Sequence, residues 1–197
     1  MSKNASVGLT FKDDRDRDFT DTNDDPRQNC RIMAVYQGGQ VDGHFLKFQK
    51  STLTSTASND DTKAYIRIQS AFTTEVSDKF SLWVITDRDS PTKALKLKSH
   101  DDGSYSFTVE DEPKIALLDR VSDTVADLGD FLFKKFSLAG TSKFYLTSYT
   151  NTTDGKSLLL AVDGDGHLRM DNPPTVDEND PVSVASDDKN LFVLVIT

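Results

Sequence analysis

The chain has 197 residues, 23 Lys and Arg against 32 Asp and Glu, a formal net charge of −9 and one cysteine, Cys30. That length suits one well-packed core, and the acidic balance disfavours nucleic acid and anionic membranes, leaving a basic patch on a protein as the better partner. A single thiol excludes an internal disulfide and fits a reducing compartment; no run reaches the ~20 apolar residues of a membrane span, and the first residues lack a signal-peptide core.

Residues 1–29 are dominated by Asp, Arg, Asn and Thr, with the blocks DDRDRD and DTNDDPRQN and one apolar cluster, Val7 to Phe11. Such a stretch buries too little to offset its ordering entropy and reads as an acidic, mobile extension. From Cys30 onward the pattern becomes short alternating segments, which predict strands at 31–37, 44–49, 64–70, 80–86, 94–99, 104–110, 115–119, 130–137, 143–149, 157–162, 167–171, 182–186 and 190–197. Helical spacing occurs only at Val121, Val125 and Leu128, so a short helical turn is expected within 119–128. The clearest stretch is Phe131 to Met170, where apolar residues recur at almost every second position between Gly and Asp turns. That is the signature of antiparallel strands joined by hairpins.

An internal echo narrows the architecture. The segments 78–85, 129–136 and 188–196 each follow a polar turn with an Asp and then run apolar; equating Leu82, Leu132 and Phe192 gives spacings of 50 and 60 residues. The stretches HFLKFQ, ALKLKSHDDGSYSFTV and LLLAVDGDGHLRM echo one another as well, the latter two as hairpins. Three copies of a four-strand unit imply an all-β β-trefoil over residues 30–197: a closed six-stranded barrel capped by three hairpins, with pseudo-threefold symmetry and few free edges. A plain sandwich is the alternative. The expected core comprises Ile32, Phe45, Leu46, Ile66, Ile68, Leu82, Val84, Leu95, Leu97, Phe107, Leu132, Phe133, Leu146, Leu160, Leu168, Phe192 and Leu194.

Sites of chemistry are not apparent. There is no Gly-x-Ser-x-Gly elbow, phosphate-cradling glycine loop or His-Glu-x-x-His. Cys30 and Trp83 read as core residues. DGDGH at 163–167 departs from an EF-hand loop at His167 and Leu168, and reads as a hairpin turn. His44, His100 and His167 fall in separate predicted turns with no second ligand at metal spacing, so neither a metal nor a cofactor is expected. The sequons at Asn4 and Asn151 read as chance matches on a leaderless chain.

Between Phe144 and Met170 the chain resembles the interleukin-1 cytokine superfamily, most of all its interleukin-18-like members. Phe144, Ser148 and Tyr149 fit the first half of the signature, Leu159, Leu160, Ala161 and Val162 the second, and Met170 closes it. Leu146, where many relatives carry Ser, and the lengthened NTTDGK turn depart from it. Upstream, residues 63–86 and the CRIMAV segment at 30–35 resemble the family's early strands. The resemblance implies a monomeric ligand for immunoglobulin-domain cytokine receptor chains, made in the cytosol and released without a signal peptide. It also implies removal of the extension by an inflammatory caspase cutting after Asp. Asp21 is the preferred site and Asp24 the next, because Pro26 makes the bond after Asp25 a poor substrate. Charged residues in predicted loops, Asp42, Asp60, Asp61, Lys63 and Lys79, are the receptor-contact candidates, the two lysines lying near basic positions of interleukin-18-like relatives. Other trefoil classes remain open: a protease inhibitor, or a carbohydrate-binding lectin, although the lectin repeat of Gln-x-Trp is missing. An actin-bundling module is disfavoured by the single copy.

Overall fold

The structure, a computed structural model, describes residues 10–11, 30–36, 44–72, 80–113, 115, 125–138, 140–171 and 188–196. In chain order the strands are β1 Thr10–Phe11, β2 Cys30–Ala34, β3 Phe45–Gln49, β4 Thr52–Ala57, β5 Ile66–Phe72, β6 Ser81–Asp87 and β7 Lys93–Ser99. They continue as β8 Tyr105–Asp111, β9 Phe133–Ser137, β10 Lys143–Ser148, β11 Leu159–Val162, β12 Leu168–Asp171 and β13 Phe192–Ile196. Every pairing is antiparallel. Six strands close a ring, β2 to β5, β5 to β6, β6 to β9, β9 to β10, β10 to β13 and β13 back to β2. The hairpins β3–β4, β7–β8 and β11–β12 stand on one end of it. This is the β-trefoil expected from the sequence.

Alternation explains why these segments close. Ile32, Trp83, Ile85, Phe133, Phe144, Leu146 and Phe192 come from the inner faces of barrel strands and form one cluster with Leu46, Leu53, Leu95 and Leu160 from the hairpins. Trp83 meets Phe144 edge-on, with ring centroids 5.2 Å apart. β6 is buried on both faces, which is why LWVI reads as a continuous apolar run: Trp83 and Ile85 face the barrel, while Val84 packs outside against Ile115, Leu128 and Leu132. A third cluster outside the barrel stacks Phe136 on Tyr145 at 4.8 Å, with Leu159 and Leu191 beside them. The hairpins also hold one another. Val109 N–H donates to Ser51 O at 3.0 Å, and Ser55 N–H to Gly166 O at 2.7 Å.

Several expectations are corrected. β4 was missed because TLTSTA has one large apolar residue, Leu53, and the strand is held largely by pairing with β3. Ile115 begins no strand; its N–H donates to Glu112 O at 3.0 Å in a tight turn, and it is fully buried. Residues 116–119, 182–186 and the Val121 part of the expected helical turn lie outside the described residues. The helical turn is a 3₁₀ segment, Val125–Phe131, which delays the following strand to Phe133.

The echo also needs realigning. Segments 129–136 and 188–196 both end in the fourth strand of their unit, whereas 78–85 lies in a first strand, β6. The true third counterpart is β5, and each fourth strand follows a 3₁₀ segment: Thr62–Ala64, Val125–Phe131 or Asp188–Asn190. Within the expected core, Phe45, Phe107, Leu168 and Leu194 are only half-buried. Finally, Thr10 and Phe11 belong to the stretch read as an extension, yet they pair with Phe72 and Ala71. Beyond the single Cys30–Ile66 register pair, β5 offers backbone groups on that side, and β1 takes them up.

Candidate functional site

Two surfaces combine exposed apolar or aromatic groups with charge. The first surrounds the turn between β4 and β5. Asp61 caps the Thr62–Ala64 segment, its Oδ1 accepting the Lys63 N–H at 2.9 Å, while Lys47 Nζ lies 3.2 Å from Oδ2. The Lys63 backbone N–H is the main cause holding the Asp61 carboxyl below its ordinary range; burial opposes it, and the hydrogen bond and charge of Lys47 add to the lowering. Arg31 reaches in from β2, where it is almost wholly buried. Its Nη1 donates to Asn59 O at 2.9 Å and to Asn59 Oδ1 at 3.0 Å. The same guanidinium lies 4.6 Å from the Phe45 ring centroid and 5.4 Å from that of Tyr65, and Arg88 covers Tyr65 at 5.1 Å. Guanidinium stacking of this kind immobilises the rings and the turn together.

Three of the residues expected to contact a receptor are therefore neighbours. Asp60 and Lys63 project from this turn as exposed charges, whereas Asp61 is committed to shaping it. Asp42 and Lys79 lie outside the described residues, as do the processing candidates Asp21 and Asp24.

The second surface went unnoticed in the sequence. At the barrel end opposite the hairpins, Lys135, Ser137, Lys143, Phe144, Leu194 and Ile196 line a cavity of about 280 Å³. Phe192, Leu194 and Ile196 fall on one face of β13, and its last member is 38 % exposed, the one large hydrophobic so exposed among the described residues. Lys135 Nζ lies 5.0 Å from the Trp83 ring centroid and 5.5 Å from that of Phe144. An apolar floor beneath ammonium groups is a recognition surface in form, with an anchor to desolvate and charges to steer approach. Its signal in the sequence was Ile196, an apolar residue continuing the β13 alternation to the barrel rim.

A third cluster sits at the tip of the β11–β12 hairpin. The DGDGH segment is the hairpin turn expected from the sequence, and in it Asp163, Asp165 and His167 bring their ligand atoms within 4.8 Å of one another.

A closed six-stranded barrel with three capping hairpins defines the fold as a β-trefoil. Among solved structures the chain is similar to Gallus interleukin-1 beta, solved as a point mutant, with a TM-score of 0.52 and 9% identity over 84% of this chain and 93% of that one. No family model matches the sequence, and no curated protein matches it. The fold is thus interleukin-1-like.

Proposed function

We propose that the protein is an interleukin-18-like cytokine of the interleukin-1 family, a monomeric ligand that associates with immunoglobulin-domain receptor chains in inflammatory or immune signalling and performs no chemistry. The observation carrying this reading is the barrel's likeness to interleukin-1 beta across most of both chains. The resemblance at Phe144 to Met170 supports it, since those residues form β10 to β12. Two patches are the docking surfaces: the barrel mouth, with Ile196 as apolar anchor and Lys135 and Lys143 at its rim, and the Tyr65 turn with Asp60 and Lys63. Buried apolar anchors set the dissociation rate in such interfaces and rim charges the association rate. The precursor is made in the cytosol, cut by an inflammatory caspase after Asp21 or Asp24, and released without a signal peptide.

Surface plasmon resonance against a panel of immunoglobulin-type receptor ectodomains tests this reading. Binding is expected for at least one ectodomain, weakened about 10- to 100-fold by Ile196→Asp and less by Lys63→Glu. If no ectodomain is bound, and a protease panel or glycan array yields a tight ligand instead, the chain is an inhibitor or lectin on the same fold.

A further inference from the structure

Arg31 carries a charge that the fold leaves without a counter-ion. We propose that its guanidinium is a carboxylate-binding anchor, which takes an Asp or Glu side chain of a protein partner at the turn between β4 and β5. That the partner is a receptor rests on the reading above; the anchor itself does not.

A buried cation is ordinarily matched with a carboxylate, because the cost of taking it out of water is otherwise uncompensated. Half-buried lysines elsewhere in the fold keep to this: Lys47 pairs with Asp61 at 3.2 Å and Lys96 with Glu110 at 2.9 Å. Arg31 is only 7 % exposed, yet among the described residues no carboxylate pairs with it. It meets neutral groups alone, the two oxygens of Asn59 on Nη1 and the faces of Phe45 and Tyr65. Its Nε is buried with no acceptor.

The unused atoms are those that a carboxylate takes. In a guanidinium the Nε–H and one Nη2–H point the same way along one edge and donate side by side to two carboxylate oxygens. Asn59 holds Nη1 by two bonds and the rings fix the plane, so that edge is set before a ligand arrives. Entry needs only side chains at the surface to turn, since Asn59 is exposed and Phe45 and Tyr65 are half-buried. The surroundings favour a single negative charge. Arg88 over Tyr65 at 5.1 Å and the exposed Lys63 draw an anion in, whereas Asp60 and Asp61 on the same turn oppose the second charge of a phosphate. Arginine and tyrosine at the centre of a polar rim are also the residue types on which protein interfaces concentrate their binding energy.

NMR of the full chain tests the anchor by following the Arg31 Nε–H resonance, assigned from its loss in Arg31→Lys. The probes are a blocked Gly-Glu-Gly peptide, its Gly-Gln-Gly counterpart and inorganic phosphate. A saturable shift is expected with the glutamate peptide at millimolar concentration and none with the glutamine peptide, while Arg169, which has Asp171 at 3.3 Å, stays in place. In plasmon resonance against any ectodomain that the chain binds, Arg31→Lys should raise Kd about tenfold or more, mostly through the dissociation rate, and Arg169→Gln should leave it unchanged. An unchanged circular dichroism spectrum shows that Arg31→Lys is folded; if it is not, the shifts in the parent chain decide. The anchor is refuted if the glutamate peptide leaves Arg31 unmoved, if Arg169 shifts as much, if phosphate binds more tightly, or if a bound ectodomain tolerates folded Arg31→Lys. A glutamate-specific shift at Arg31 with no ectodomain bound keeps the anchor and removes the receptor reading instead.

Discussion

At the scale of single residues, aspartate does much of the shaping. Asp61, Asp87, Asp102 and Asp163 each accept a backbone N–H two residues on, converting a turn's unpaired donor into a charge-assisted bond. Asp163 shows the balance of effects: burial raises its carboxyl, but the N–H groups of His167 and Asp165 outweigh it and the net shift is downward. A carboxylate depressed in the folded state stabilises fully above its unfolded value near 3.8, and that contribution is lost as pH falls through the still lower folded value. Asp61→Asn should therefore cost roughly 0.5–1 kcal/mol near neutrality and flatten the stability curve below about pH 4. Urea unfolding at pH 7 and at pH 3 measures both; equal losses at the two values would refute the titration argument. Arg31 is the other organiser, and Arg31→Met should cost about 1–2 kcal/mol by removing its two hydrogen bonds to the exposed Asn59 and unclamping Phe45 and Tyr65. The charges at 60, 61 and 63 were legible as loop residues. That Asp61 also pairs with Lys47 was not, because that lysine comes from a different strand.

Among elements, burial separates strands that look alike on paper. Phe133 is fully enclosed, with Phe107 5.9 Å away and Trp83 as its register partner on β6, while Leu168 on β12 is half-exposed at the cap. Phe133→Ala should cost about 3–5 kcal/mol and Leu168→Ala less than half of that, both read as shifts in the urea midpoint at constant slope. Similar losses would mean that the hairpins are packed as tightly as the barrel. The strands with strong alternation were readable because their period is local. β4 was not, since its reason for being a strand lies in β3 and in the Gly166 turn it receives. The 3₁₀ segments before each fourth strand were also hidden, as three to seven residues carry too little periodicity.

For the whole molecule, the ring of six strands closes without any residue before Cys30. Among the described residues, deleting 1–29 removes the two-residue β1 pairing on β5, and the melting temperature should fall by a few degrees at most. If the chain is the receptor ligand proposed above, its affinity should change too, because β1 and Cys30 both lie at the barrel end where Ile196 is exposed; Cys30 is the register partner of Ile196. Thermal melts and receptor binding of the chain beginning at Thr22 and at Cys30, beside caspase digestion of the full chain, check this. Collapse of the shortened chain would show that the first 29 residues belong to the fold.

The sequence alone determined that the chain is built of strands, that turns rich in Asp and Gly separate them, and that a four-strand unit recurs three times. Those properties rest on contacts between near neighbours, which period and turn chemistry report. Only the tertiary structure decided which strands are equivalent and what each face meets. Lys134 and Lys135 are the same residue one position apart, yet Lys134 lies over Phe80 outside the barrel and Lys135 over Trp83 and Phe144 at its mouth. Alternation along β9 puts the two on opposite faces, but which face is the barrel mouth is set by its pairing with β6 and β10 and by closure of β2 on β13, which joins Cys30 to Ile196 across almost the whole chain.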